Sequence, residues 1–181
     1  MAGMQTVFSQ NAGIDSMLQK ISAEKDENKK VDLIFNTLFT PGYDSSTSYM
    51  LEIGRAWIKQ GQEKKDLIIE ASGFCQLGFG FRMAGNFQKA LEYHQKALEI
   101  AEATGNFSIL AMTKNLMAHI YRDREDYDKA LQLFSSALPD AERGRNEMVK
   151  AWPLMNMGSM YMRIGKLDSA LKYLQSSYEL A

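Results

Sequence analysis

The sequence predicts an all-α fold in which antiparallel helix pairs repeat along the chain. Three observations carry this. The chain of 181 residues resembles itself at an interval of 40 residues. Apolar residues within each copy recur at i, i+3, i+4 and i+7, the spacing of one helix face. Helix breakers are scarce: three prolines stand against twelve methionines, whose unbranched side chains suit helix.

Composition removes several classes. Apolar residues make up 45% and charged residues 24%, which excludes wholesale disorder and low complexity. Lys and Arg total 21 against 22 Asp and Glu, a net charge of −1, and no basic stripe is present, so direct nucleic-acid binding is not expected. Cys75 is the sole cysteine, so no internal disulfide forms. No stretch reaches the roughly 18 apolar residues of a membrane span. The first residues lack the basic segment and long apolar run of a complete signal peptide, so the compartment stays open: cytoplasmic, or periplasmic if Met4 to Gln10 is the stub of a removed one.

The elements follow in order. Residues 1–13 are expected to be disordered or processed, and Ile14 to Ile21 to form a short helix. Residues 14–70 hold the N-terminal helices and, from 28, a degenerate first copy of the repeat. Its first helix runs from Lys30 to Phe39, with Val31, Ile34, Phe35 and Leu38 on one face, and Pro41-Gly42 ends it. Asp44-Ser45-Ser46 then caps a second helix from about Thr47 to Lys59, burying Tyr49, Met50, Ile53 and Trp57. Gln60-Gly61-Gln62 reads as the turn before a long helix leading into Ala71.

Three clearer copies occupy 71–110, 111–150 and 151–181. Gly85-Asn-Phe-Gln-Lys-Ala90-Leu91 matches Glu125-Asp-Tyr-Asp-Lys-Ala130-Leu131 and Gly165-Lys-Leu-Asp-Ser-Ala170-Leu171. Upstream, Gly78, Ala118 and Gly158 share one register, and Phe81, Tyr121 and Tyr161 another. Each copy reads as a first helix, a turn at 85–86, 125–126 or 165–166, and a second helix. Small residues let the pair approach closely, with Gly78 placed against Ala90. Asn86, Asp126 and Asp168 are candidate caps or first-turn acids for the second helices.

These residues resemble the tetratricopeptide repeat (TPR) family. Its first-helix pattern is a large apolar residue, two places, Leu, a small residue, two places, then an aromatic. Phe74-x-x-Leu77-Gly78-x-x-Phe81 and Leu154-x-x-Met157-Gly158-x-x-Tyr161 fit it. Lys114-x-x-Met117-Ala118-x-x-Tyr121 fits except at its first residue. The second-helix pattern, Ala then an aromatic four residues on, survives at Ala130 and Phe134 but becomes Ala90–His94 and Ala170–Leu174. The usual closing proline is missing. The period is 40 rather than 34, and the added residues, between Ala97 and Ala111 and between Ala137 and Ala151, are expected to lengthen the helices beside each inter-repeat turn. The resemblance implies a right-handed superhelix whose first helices line a concave groove. The layout, with Ile14-Asp-Ser-Met-Leu18 ahead of several repeats, also resembles bacterial sensor proteins in which such repeats precede a signalling domain.

Catalytic motifs do not form. Gly158 to Gly165-Lys166 has six intervening residues where a phosphate loop has four, and Leu167 stands where Ser or Thr would bind magnesium. Cys75 has no base beside it, and His94 and His119 lack the acidic company of a zinc site. His94 takes a packing place on a second helix. No cofactor is implied. Asn106-Phe-Ser108 matches a glycosylation acceptor, a pattern common by chance.

The groove is the expected working surface. Opposite the packing faces lie Ser72, Cys75, Phe79, Arg82 and Met83 from the first clear copy. The second contributes Met112, Asn115, His119, Arg122 and Asp123, and the third Trp152, Met155, Ser159, Met162 and Arg163. Gln76, Leu116 and Asn156 stand at the edge. The methionines suit varied apolar side chains, Trp152 and Phe79 can anchor a partner residue, and the arginines with His119 can hold an acidic group. The competing reading packs Met155 and Phe79 against neighbouring repeats and pairs the arginines with Asp123 and Glu125. Some TPR modules clamp chaperone tails with a Lys–Asn–Lys–Arg set. Cys75 and Phe79 replace its leading pair here, so that ligand is not expected.

The last helix leaves Tyr173, Leu174, Tyr178 and Leu180 as an apolar edge, which predicts pairing with a second copy as homodimer or continuation into a longer protein. The resemblance implies a non-catalytic module binding a protein or peptide, as the input or scaffold segment of a bacterial signal-transduction protein of sensor histidine kinase or nucleotide cyclase type. The alternatives are a stand-alone adaptor and a peptide-pheromone receptor of a transcriptional regulator.

Overall fold

A computed structural model describes residues 15–39 and 46–180; the expectations for residues 1–13, for Pro41-Gly42 and for Asp44-Ser45 lie outside them. Among the described residues the regular structure is entirely helical. Helix α1 covers residues 15–23. Eight further helices follow: α2 (Glu27–Phe39), α3 (Thr47–Lys64), α4 (Leu67–Met83), α5 (Phe87–Thr104), α6 (Phe107–Asp123), α7 (Tyr127–Gly144), α8 (Glu147–Arg163) and α9 (Leu167–Tyr178). From α2 onward each helix starts 20 residues after the one before, so the 40-residue repeat divides into two equal halves.

The cause of that division is local. Asp26, Ser46, Asp66, Asn86, Asn106, Asp126 and Asn146 each stand one place before a helix and accept a backbone N–H from its first turn. Asn106, the acceptor-pattern asparagine, is thus the cap of α6. Left-handed residues at 65, 85, 105, 125, 145 and 165 close the preceding helices. Gly85 and Gly165 take this conformation without strain, while Glu125 holds it at φ 62° in the matching place. The first helices have 17 residues and the full second helices 18, the expected lengthening beside the inter-repeat turns.

The pairs α4–α5, α6–α7 and α8–α9 pack as predicted, with α3 laid tightly along α4. Two close approaches differ from the sequence expectation. A methyl group at Gly78 would meet the His94 ring at 2.5 Å, so His94, one turn beyond Ala90, is what Gly78 admits. Gly61 is not in a turn. It lies inside α3, where an added Cβ would sit 2.5 Å from the Glu70 backbone nitrogen, and α3 runs on to Lys64. The turn falls instead at Lys65-Asp66, where a lysine takes the left-handed place.

The larger difference concerns the first copy. Helix α1 covers α3: Met17, Leu18 and Ile21 are buried with Tyr49, Ile53 and Trp57, and Gln60 hydrogen-bonds Ser22. Helix α2 adds Ile34 to this cluster but crosses α4 and α6 with its other side, where its Phe35 ring meets Trp152 of α8. Residues 28–64 keep the repeat's spacing but do not form its helix hairpin.

A candidate ligand groove

The first helices α4, α6 and α8 stand side by side and present one inner face. Helix α2 crosses the half of this face nearest their N-termini. Val31 is buried there in a single cluster with Ala71, Cys75, Met112, Leu116 and Val149. The other half of the face, toward the C-terminal ends, carries exposed side chains.

This divides the predicted groove residues into two groups. Cys75, Met112 and Asn115 are completely buried, and Ser72 with them, so they form interior rather than open lining. Two contacts account for this: Val31 of α2, whose crossing the repeat pattern does not contain, joins the cluster of Cys75 and Met112, and the neighbouring first helices meet at Cys75 with Thr113 and at Asn115 with Asn156. Cys75 contacts Thr113 Oγ1 at 3.2 Å, and burial pushes its thiol up to about 12, which leaves no thiolate for chemistry near neutral pH.

Asn115, His119 and Asn156 form a buried polar cluster. Asn156 Nδ2 lies 3.2 Å from Asn115 Oδ1, to which it donates, and 3.3 Å from His119 Nε2. The His119 ring packs edge-on to Phe134 and beside Trp152, with centroids 5.4 and 5.7 Å away. Burial, followed by the charges of Arg122 and Arg82, lowers its pKa to about 3, so the ring is neutral at pH 7. With Nε2 facing the Asn156 amide, Nδ1 carries the proton. Asn115 Nδ2, His119 Nδ1 and Gln76 Oε1 are buried with no hydrogen-bond partner among the described residues.

The open half carries the charge. Arg82 and Arg122, 40 residues apart, converge on one carboxylate: Asp123 takes Arg82 Nη1 on Oδ2, and Arg122 Nη2 and Nε on Oδ1 at 2.9 and 3.1 Å. Burial opposes ionisation of Asp123, but these hydrogen bonds win and hold its carboxyl below the usual range. The pairing with Asp123 is the one the competing reading anticipated; no such bond reaches Glu125. Arg82 also lies over the Phe79 ring, 5.1 Å from its centroid. Arg122, Asp123, Glu125, Tyr127 and Arg163 line a cavity of about 420 Å³. Met83, Met155, Ser159, Met162 and Arg163 are exposed, the three methionines at about one half.

Along the predicted self-association edge, Tyr173 stacks on Tyr161 and Leu174 fills the space beside Gly158, so both face into the pair. Leu180 is half-buried and Tyr178 is open, in company with Leu167 and Leu171, which the sequence reading did not single out. His94, expected to take a packing place, is completely buried. Among the described residues no group of three His, Cys, Asp or Glu is placed to hold a metal, and no helix is long and apolar enough to cross a membrane.

Sequence reasoning missed Lys30, Asp32, Val31 and Phe35 of α2, and Asn146, as residues of this face. One signal was available: Asp66, Asn106 and Asn146 recur every 40 residues at the mouth of the groove.

Comparison with known proteins gives a single picture. The tetratricopeptide repeat model matches residues 69–143 and again 109–181. The 43 kDa receptor-associated protein of the synapse from Tetronarce californica is 26% identical over 136 residues, covering 75% of this chain and 31% of that protein. Among solved structures, BtubC (BKLC) from P. vanneervenii superposes with a TM-score of 0.65 at 18% identity, over 99% of this chain and 74% of its own. A Rap protein complexed with Competence and Sporulation Factor superposes with a TM-score of 0.71 at 17% identity, over 99% and 52%. Both share the all-α repeat fold.

Proposed function

Because the chain belongs to the tetratricopeptide repeat family, we propose that it is a non-catalytic module that binds a protein or peptide along the inner face of α4, α6 and α8. The observation that carries the ligand class is the surplus of hydrogen-bond donors. Arg82 and Arg122 share one carboxylate, and Arg163 is exposed beside them. Donors without matching acceptors favour a ligand that brings acceptors, above all Asp or Glu side chains. Met83, Met155 and Met162 add flexible apolar contacts that re-pack around different side chains. The ligand is therefore a segment in which acidic and apolar residues alternate.

Selection of displayed random peptides on the chain tests this. Enrichment of Asp and Glu next to apolar residues is expected, together with at least a tenfold loss of affinity in Arg122→Glu/Arg163→Glu. Peptides without acidic enrichment, or equal binding by the variant, would contradict it.

The finer reading is an input or scaffold segment of a signalling protein. The receptor-associated relative and the Rap neighbour in complex with its factor support it. Coding sequence on both sides of Met1 and Ala181 decides it: an adjoining kinase or cyclase domain supports the reading, and stop codons without one oppose it.

A further inference from the structure

Helix α2 is held across the array by two capping residues that each act twice. Asp66 caps α4 by accepting from the Ile68 and Ile69 nitrogens on Oδ1, both at 3.1 Å, and takes Lys30 Nζ on Oδ2 at 2.5 Å. Asn146 caps α8 by accepting from the Val149 nitrogen on Oδ1 at 2.9 Å, and donates Nδ2 to Asp32 Oδ1 at 2.7 Å. Between these clasps Val31 is buried on the inner face and Phe35 meets Trp152 edge-on with centroids 5.1 Å apart, while Ile34 is buried on the other side of α2, among α1, α3 and Ile69 of α4. The inner face thus accepts a helix whose residues run basic, apolar, acidic and, three places on, aromatic, as in Lys30, Val31, Asp32 and Phe35. The clasps also set its direction, because the cation must face α4 and the anion α8.

We propose that this part of the face is a helix-recognition site, that α2 is its resident occupant, and that its external partner is an amphipathic helix with the same order of side chains. Two observations make the occupant exchangeable. Helix α2 lies far more lightly on α4 and α6 than the paired helices lie on one another, and of its described side chains only Lys30, Val31 and Ile34 are buried. Elements with few buried side chains open first. Near Phe35 and Trp152 the floor also keeps Asn115 Nδ2 and His119 Nδ1 without partners among the described residues. A partner helix bearing an amide or carboxylate there satisfies groups that α2 leaves unmet. The recognition mode is the docking of an apolar helix stripe into a groove, read here through Val31 and Phe35, four residues apart. The inference rests on the reading of the inner face as a binding surface and extends it to the half that α2 covers.

The test uses the full chain and a labelled synthetic peptide of residues 24–39. Val31→Asp/Phe35→Asp alters α2 and leaves its receptor intact. Hydrogen exchange is expected to rise at least tenfold across 27–39 while α4, α6 and α8 stay protected, and the peptide is expected to bind this variant at least tenfold more tightly than the parent. Adding Asp66→Asn and Asn146→Asp keeps both capping oxygens but removes the clasps, and is expected to abolish the gain. Loss of protection in α4, α6 and α8 together with α2 would show a fixed core helix and overturn the proposal, as would peptide binding that neither set of changes alters. Arg122→Glu/Arg163→Glu, which tests the open half, is expected to leave binding of this peptide unchanged in the Val31→Asp/Phe35→Asp background, so the two readings fail separately.

Discussion

His94 occupies the place that Phe134 and Leu174 take in the following pairs. Both its ring nitrogens are buried without a partner among the described residues, and burial, with the nearby charge of Arg82, lowers its pKa to about 3. His119 is lowered to the same range. Both titrate near 6.5 when unfolded, so between pH 6.5 and 3 the unfolded chain binds protons that the folded chain refuses. Their stabilisation is complete above pH 6.5 and is lost as pH falls, at up to about 1.4 kcal/mol per histidine per pH unit. Urea unfolding at pH 7, 6, 5 and 4.5 measures the slope, and His94→Phe is expected to remove about half of the histidine part. A His94→Phe profile parallel to the parent would contradict the burial of a neutral ring. The sequence placed His94 correctly on a packing face. It did not place Cys75, Met112 and Asn115 correctly, because a side chain pointing at an open groove and one pointing at a helix within that groove have the same register.

At the scale of the element, the caps explain why the helices form where they do. The 20-residue spacing of Asp, Asn and Ser is written plainly in the sequence, and the turns at Gly85, Glu125 and Gly165 were legible with it. Gly61 was not, because a glycine at a helix crossing and a glycine in a turn look alike until the partner backbone is seen. The series breaks once. Lys166 stands at the cap of α9 and makes no side-chain cap hydrogen bond, and its charge opposes the helix dipole. Lys166→Asp is expected to stabilise the chain by about 1 kcal/mol, seen as a higher urea midpoint at unchanged slope. An unchanged or lower midpoint would mean that α9 does not fray from this end.

For the whole molecule, local and distant information separate. Periodicity identified the three clear pairs, since each repeat touches mainly its neighbours. It also set α2 and α3 in phase with them, and from phase alone a fourth pair was expected. The true arrangement depends on contacts such as Asp32 with Asn146, 114 residues apart in the chain, which no repeat pattern encodes. A short α1, with Ile34 of α2, supplies the cover that α3 needs, and the other side of α2 lies on the inner face. Groove and occupant are therefore parts of one chain, and access to the covered half depends on how readily α2 leaves.

The placement of α2 is the claim on which the rest depends, and the Phe35–Trp152 pair reports it most directly. In a nuclear Overhauser spectrum of the full chain, strong cross-peaks between the Phe35 ring protons and the Trp152 indole are expected from rings 5.1 Å apart. Their absence, with the Phe35 contacts confined to α3, would place α2 in the repeat stack and leave the groove open along its whole length.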